Sequence, residues 1–174
     1  PGLIVGPNDP SDRFTYWPAR LQRGGTVLAP GNPDAPVQII DVRDLAEWTI
    51  RMIEYQQISI LNATGPSIPL SMRQVLEACR QVAGTPAELV WMDDDFLLSQ
   101  GVAPFTDLPL WLPSFAAVMH QVNIAKAINA GLTFRPLAKT IADTLAWDNT
   151  RLSDAPRANG ISPERESELL KKWK

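Results

Sequence analysis

One pattern, stated twice, constrains this chain more than any other: a short apolar run that stops at a Gly-Pro corner. It appears as PGLIVGP over residues 1–7 and again as ISILNATGP over residues 58–66. Successive apolar residues, with no alternation, make GLIV read as a strand buried on both faces, as in a parallel sheet. ISILN reads as a second candidate central strand, with Asn62 where the strand ends.

The segments between and after these runs alternate in type, which predicts an α/β fold. From Ser11 to about Leu21, Phe14, Trp17 and Leu21 share a helical face, and Pro18 is expected to shorten or kink that helix. TVLAP and PVQII read as short strands. The second runs into DVRDLAEWTIRMIEY, where Asp44 with Glu47 resembles a capping box and Leu45, Trp48, Met52 and Ile53 fall on one face. Ser71 with Gln74 is another capping box, followed by the stripe Val75, Leu76, Cys79, Val82 and a stop at Gly84. AELVWM reads as a strand, DDDFLLSQ as a short helix with acids at its positive end, and VNIAKAINAGL as a helix stopped by Gly131. Leu137, Ile141 and Leu145 mark a further amphipathic helix. Ser162, Pro163 and the edge Leu169, Leu170, Trp173 mark the last one. An open parallel sheet needs several adjacent strands, yet only two runs read as central.

Composition removes several classes of function. At 174 residues one compact unit is expected, and a net charge of -3 leaves no basic surface to neutralise a run of phosphates. A nucleic-acid partner is therefore not expected. No apolar run approaches the roughly 20 residues of a membrane span and no export pattern is present, so no membrane contact and a cytoplasmic location are expected. One cysteine, Cys79, and one histidine, His120, cannot form an internal disulfide or a His-based metal cluster. No metal site is expected.

The order of the motifs resembles the C-terminal half of an extended or atypical short-chain dehydrogenase/reductase, the NAD-dependent epimerase/dehydratase family. PGLIVGP is similar to the family's Arg-Pro-Gly strand, and SDRFTYWPARL to its variable substrate-lining helix. Ile40, Asp41, Val42, Arg43, Asp44, Leu45 and Ala46 resemble the junction signature. ISILNATGP resembles the strand that returns to the main sheet, and Lys126, Ala127, Gly131, Leu132, Pro136 and Leu137 match later elements leading to Trp147. The resemblance implies the C-terminal portion of a Rossmann-type fold: two sheet strands plus a small mixed α/β substrate-binding subdomain, residues 1–174 forming one unit. The dinucleotide-binding half is then expected to be absent from this chain. No glycine-rich strand-to-helix turn is present, and Tyr16 and Tyr55 are followed four residues later by Arg20 and Ser59, so the family's catalytic Tyr and Lys are not here. With the assisting Ser or Thr they are expected upstream of Pro1. The implied cofactor is NAD or NADP.

Carried over residue by residue, Pro1, Leu3 and Ile4 would lie beside the nicotinamide, and Phe14, Tyr16 and Trp17 would face substrate; core packing is the alternative for each except Pro1. Trp111, flanked by Trp91, Phe105 and Phe115 around LPLWLP, reads as a pocket wall or as core. Arg43 would reach a substrate anion or else pair with Asp41 or Glu47. Asp93, Asp94 and Asp95 read as dipole-compensating acids, and His120 and Lys126 as structural. Sugar-nucleotide members commonly carry an arginine five residues before the junction valine. Val37 stands there in this chain, which points to a smaller or more apolar carbonyl or alcohol.

Two readings follow. Either the chain is the substrate-binding part of an NAD(P)-dependent oxidoreductase, epimerase or dehydratase, or it belongs to a non-catalytic dinucleotide-binding sensor or interaction module. The expected partners are a small-molecule substrate and either the protein's own N-terminal half or a second copy, as in a homodimer. Under both readings the 174 residues alone transfer no hydride; NAD(P)H consumption by the isolated chain, followed by absorbance, would refute this.

Overall fold

The structure, a computed structural model, describes residues 1–152 and 156–173. The opening strand β1 (Leu3–Val5) is followed by α1 (Tyr16–Gln22), β2 (Gly25–Pro30), β3 (Pro36–Val37), β4 (Ile39–Asp41) and α2 (Val42–Glu54). Then come β5 (Leu70–Ser71), α3 (Met72–Ala83), β6 (Ala87–Met92), α4 (Asp94–Ser99), a 3₁₀ segment (Ser114–His120), α5 (Ala125–Asn129), α6 (Leu137–Asp148) and α7 (Pro163–Lys172). The strands form three separate pairs. β1 lies parallel to β4, β2 parallel to β6, and β3 antiparallel to β5.

The helices begin and end where local chemistry directs. At the start of α3 the Ser71 hydroxyl accepts the Gln74 N–H while the Gln74 side chain accepts the Ser71 N–H, so two otherwise unpaired donors are satisfied reciprocally. Gly84 ends the same helix in the left-handed region, φ 67°, where a side chain would be strained. Ser162 caps α7 and Pro163 opens it. Pro18 neither breaks nor kinks α1, because the helix starts only at Tyr16 and the proline falls in its first turn.

Two expectations are corrected. ISILN forms no strand: residues 57–66 have no regular structure, and Ile58 and Ile60 are wholly exposed. The strand that pairs with β1 is β4, and the 63–65 stretch only touches this layer, through Gly2 N–H to the Ala63 carbonyl and Ile39 N–H to the Gly65 carbonyl. An apolar run becomes a strand only when its backbone finds a ladder partner, and among the described residues none lies along Ile58–Asn62. GLIV is likewise not buried on both faces, since Ile4 is 38% exposed. The second correction concerns α2, whose cap is Asp41, accepting the Arg43 N–H, and not Asp44 with Glu47. Ile53, assigned by spacing to the buried face, lies exposed.

The main core gathers where α1, α3 and α6 pack together beside β2 and β6, around the fully buried Phe14, Trp17, Leu21, Leu76, Cys79 and Ile141. A smaller core lies under α2, built from Ile40, Trp48, Ala63, Ala127 and Leu132. One buried ion pair fastens α7 to the main core: Arg20 Nε donates to Glu166 at 2.6 Å, and the other Glu166 oxygen accepts the Leu28 N–H of β2 at 3.0 Å. The Arg20 terminal nitrogens reach the Gly24 and Thr26 carbonyls, so no polar atom of this cluster is wasted.

Removing one partner of such a pair strands a buried charge, a loss of about 3 kcal/mol or more. Glu166→Ala is expected to lower unfolding stability by that amount, read from urea titration, and Glu166→Gln, which can keep the Leu28 bond, by less.

Candidate functional site

The pairing of β1 with β4 sets Val5 opposite Asp41, so two parallel strands end together. Gly6, at φ 129°, turns the chain away from β1 where an ordinary side chain would be strained. The chain then loops through residues 7–15 before α1, while β4 runs directly into α2 at Val42. Between these exits lies a cleft of about 320 Å3, lined by Ile4, Val5, Gly6, Pro7, Ser11 and Val42 among others. Open α/β sheets bind ligands at this location, outside the carboxyl ends of their strands. Asp9 stiffens the rim, accepting from the Ser11 N–H and hydroxyl and from the Thr15 hydroxyl. Of the three residues expected beside a nicotinamide, Ile4 lines the cleft, Pro1 is exposed, and Leu3 is half-buried against the main core.

Below the strand ends, Asp41 is the centre of a charged network. Arg43 grips it with two nitrogens, Nε at 2.9 Å and a terminal nitrogen at 2.7 Å, while the other terminal nitrogen reaches Asp143 of α6. Thr140, also on α6, donates its hydroxyl to Asp41 at 2.7 Å. Arg135 pairs with Asp44 at 2.7 Å and with Glu47 at 3.2 Å. Burial alone would raise the Asp41 carboxyl, but the hydrogen bonds from Arg43 and Thr140 outweigh it and hold the group below its usual range. Arg43 is thus engaged by carboxylates: three of its five N–H donors go to Asp41 and Asp143, which already balance its charge. Residue spacing on α2 exposed the Asp41 pairing but not Asp143, Thr140 or Arg135, which lie about a hundred positions away.

The aromatic residues fall elsewhere. Phe14 and Trp17 are fully buried in the main core, Trp17 giving its indole N–H to the Pro109 carbonyl at 2.6 Å. Tyr16 is 3% exposed and stands edge-on to Trp17, and burial pushes its phenol well above the ordinary range. Trp111 is buried as well, its indole N–H held at 2.8 Å by Asp94, which also accepts the Ser114 N–H and hydroxyl. The acids at the start of α4 thus do structural work: Asp93 caps the helix and Asp94 ties the LPLWLP stretch to it. Trp111 borders a narrow second cleft with Val37, Leu110 and His120. Tyr16 borders a different cavity, near Arg20, Arg23 and Arg157. The structure does not gather Ile4, Tyr16, Arg43 and Trp111 into one pocket.

This mixed α/β fold is that of the C-terminal half of Rossmann-type NAD-dependent epimerases and reductases. A UDP-glucose 4-epimerase from Thermotoga maritima, solved with UDP-glucose, superposes with a TM-score of 0.58 at 14% identity, covering 84% of this chain and 43% of that one. A GDP-L-fucose synthetase from Naegleria fowleri gives 0.57 at 15% identity, covering 89% and 46%. RMD from Pseudomonas aeruginosa, in complex with NADPH, gives 0.56 at 13% identity, covering 86% and 46%. The chain therefore spans less than half the length of these structures. No protein-family model and no curated protein sequence matches it. Among the described residues no helix is long and apolar enough to cross a membrane.

A carboxylate whose pKa is depressed by folding stabilises the native state above its unfolded pKa, and that contribution is lost as pH falls through the lower, folded value. For Asp41 the loss is expected below its ordinary value of 3.8. Urea titrations at a series of pH values should show wild type more stable than Asp41→Asn at neutral pH, with the gap closing as the solution is acidified.

Proposed function

We propose that this chain is the substrate-binding half of an NAD(P)-dependent oxidoreductase, epimerase or dehydratase acting on a small carbonyl or alcohol. The observation that carries the reading is the coincidence of two facts: the fold matches the C-terminal half of such enzymes, and a cleft opens at the carboxyl ends of the parallel pair β1–β4. The residues present suit one face of a nicotinamide. Ile4 and Val42 offer apolar surface, and Gly6, where even a Cβ would come within 3.3 Å of Val42, lets a flat ring approach the backbone. The cofactor, NAD or NADP, would supply the hydride; Ile4 and Val42, with the backbone at Gly6, would orient the ring and keep water from that face. The grip on the dinucleotide phosphates and the acid–base groups are assigned to residues upstream of Pro1, because no glycine-rich turn and no Tyr followed four residues later by Lys occur in this chain. The protein's own upstream half is accordingly its partner, and the exposed Ile4, Ile58 and Ile60 are surface for it to cover.

The preference for a small, neutral substrate is supported by Val37, 1% exposed where sugar-nucleotide enzymes commonly place an arginine, and by the engagement of Arg43 with two carboxylates. Tight binding of a sugar nucleotide by the full-length protein would overturn it.

In the full-length protein, Ile4→Glu places a carboxylate against the ring face and should weaken NAD(P)H binding at least about tenfold, near 1.4 kcal/mol. Fluorescence titration checks this, and an unchanged affinity would remove Ile4 from the cofactor site.

A further inference from the structure

His120 is the chain's single histidine, and it is 93% buried at the end of the 3₁₀ segment, its ring tilted against Phe105 at 6.2 Å. Its position is set by Gln38, between β3 and β4. The Gln38 N–H donates to His120 Nδ1 at 3.2 Å, and the Gln38 side-chain amide clamps the Val122 backbone, donating to its carbonyl at 2.9 Å and accepting its N–H at 2.8 Å. A nitrogen that accepts a hydrogen bond cannot carry the proton of a neutral imidazole, so the proton of His120 sits on Nε2. Protonating Nδ1 as well would set two N–H groups against each other.

Nε2 is buried and has no hydrogen-bond partner among the described residues; the Leu110 backbone is near enough to favour a charged ring but makes no hydrogen bond to it. The ring borders the narrow cleft between β3 and the LPLWLP stretch, whose other side chains include Pro36, Val37, Met72 and Leu112, all apolar. The indole N–H of Trp111, in the same wall, is already given to Asp94. The Nε2–H is thus an unspent donor in apolar surroundings, and a buried donor left unpaired is unfavourable. Free space in the cleft is about 10 Å3, room for one oxygen-sized group.

We infer that His120 Nε2–H is the recognition donor for a neutral ligand, receiving a carbonyl or hydroxyl oxygen at the tip of an otherwise apolar molecule. An anion is disfavoured, since the ring is neutral and the lining of the cleft holds no Lys or Arg. The identity of that ligand as the substrate rests on the function proposed above; the contact itself does not.

The test is a direct titration of the full-length protein, with nitrogen-15 imidazole spectra assigned to His120 by their loss in His120→Phe. The probes are cyclohexanone and methylenecyclohexane, which share shape and differ in the acceptor oxygen. The expected results are a proton on Nε2, a shift of that signal on adding the ketone, and binding about fivefold tighter for the ketone than the alkene, the worth of one net hydrogen bond. The preference should vanish in His120→Phe. A proton found on Nδ1, a signal that the ketone leaves unmoved because a fixed water or the Leu110 carbonyl holds the proton, or a preference that survives in His120→Phe would each overturn the inference. Should His120→Phe fail to fold, His120→Gln supplies the assignment, and the tautomer and the shift are then read from wild type. The outcome does not depend on nicotinamide: loss of cofactor binding with a positive His120 titration would sink the proposed function and leave this site standing.

Discussion

Asp41 holds together the part of the molecule that bears the candidate cofactor cleft. As the last residue of β4 it pairs in register with Val5, and as the N-cap of α2 it turns the chain into the next helix. Through Arg43 and Thr140 it also fixes α6. A strand end beside a helix start would otherwise leave unpaired N–H groups at a solvent-facing edge; here one carboxylate satisfies backbone, hydroxyl and guanidinium donors together. Arg43 is thereby held by two carboxylates, Asp41 and Asp143.

A second buried carboxylate does comparable work at the other end. Glu166 joins α7 to α1 through Arg20 and to β2 through the Leu28 N–H, so the last helix is tied to the main core by charge-assisted hydrogen bonds as well as by Leu169. The aromatic residues follow the same economy. Phe14, Trp17 and Trp111 fill space, and each indole N–H has a fixed acceptor, which makes them rigid walls and leaves His120 as the polar group still able to accept a partner in the second cleft.

Much of the helical framework was legible in the residues. Ser71 with Gln74, Gly84, Ser162 with Pro163, and the stripe Val75, Leu76, Cys79 signal their elements through bonds made within a few positions, and the structure has them where the spacing puts them. The strand layer was less legible. ISILN has the composition of a buried strand and GLIV the pattern of one buried on both faces, but both properties depend on neighbours that composition cannot supply. The candidate site divides in the same way. Ile4, in the middle of β1, stands out in the opening motif and lines the cleft, while the unpartnered Nε2 of His120 gives no local signal, because the ring is placed by a contact 82 residues away with Gln38.

By itself the sequence determined where helices start and stop, that the fold is α/β, and that no glycine-rich turn or Tyr and Lys pair lies in this chain; these follow from capping chemistry, periodicity and residue identity, which are local. Only the tertiary structure decided which strands pair, that Arg43 is spent on Asp41 and Asp143, and which polar atoms are left without partners. Those outcomes depend on contacts between positions tens to a hundred residues apart, where the desolvation of one group is compensated by another that no local pattern announces.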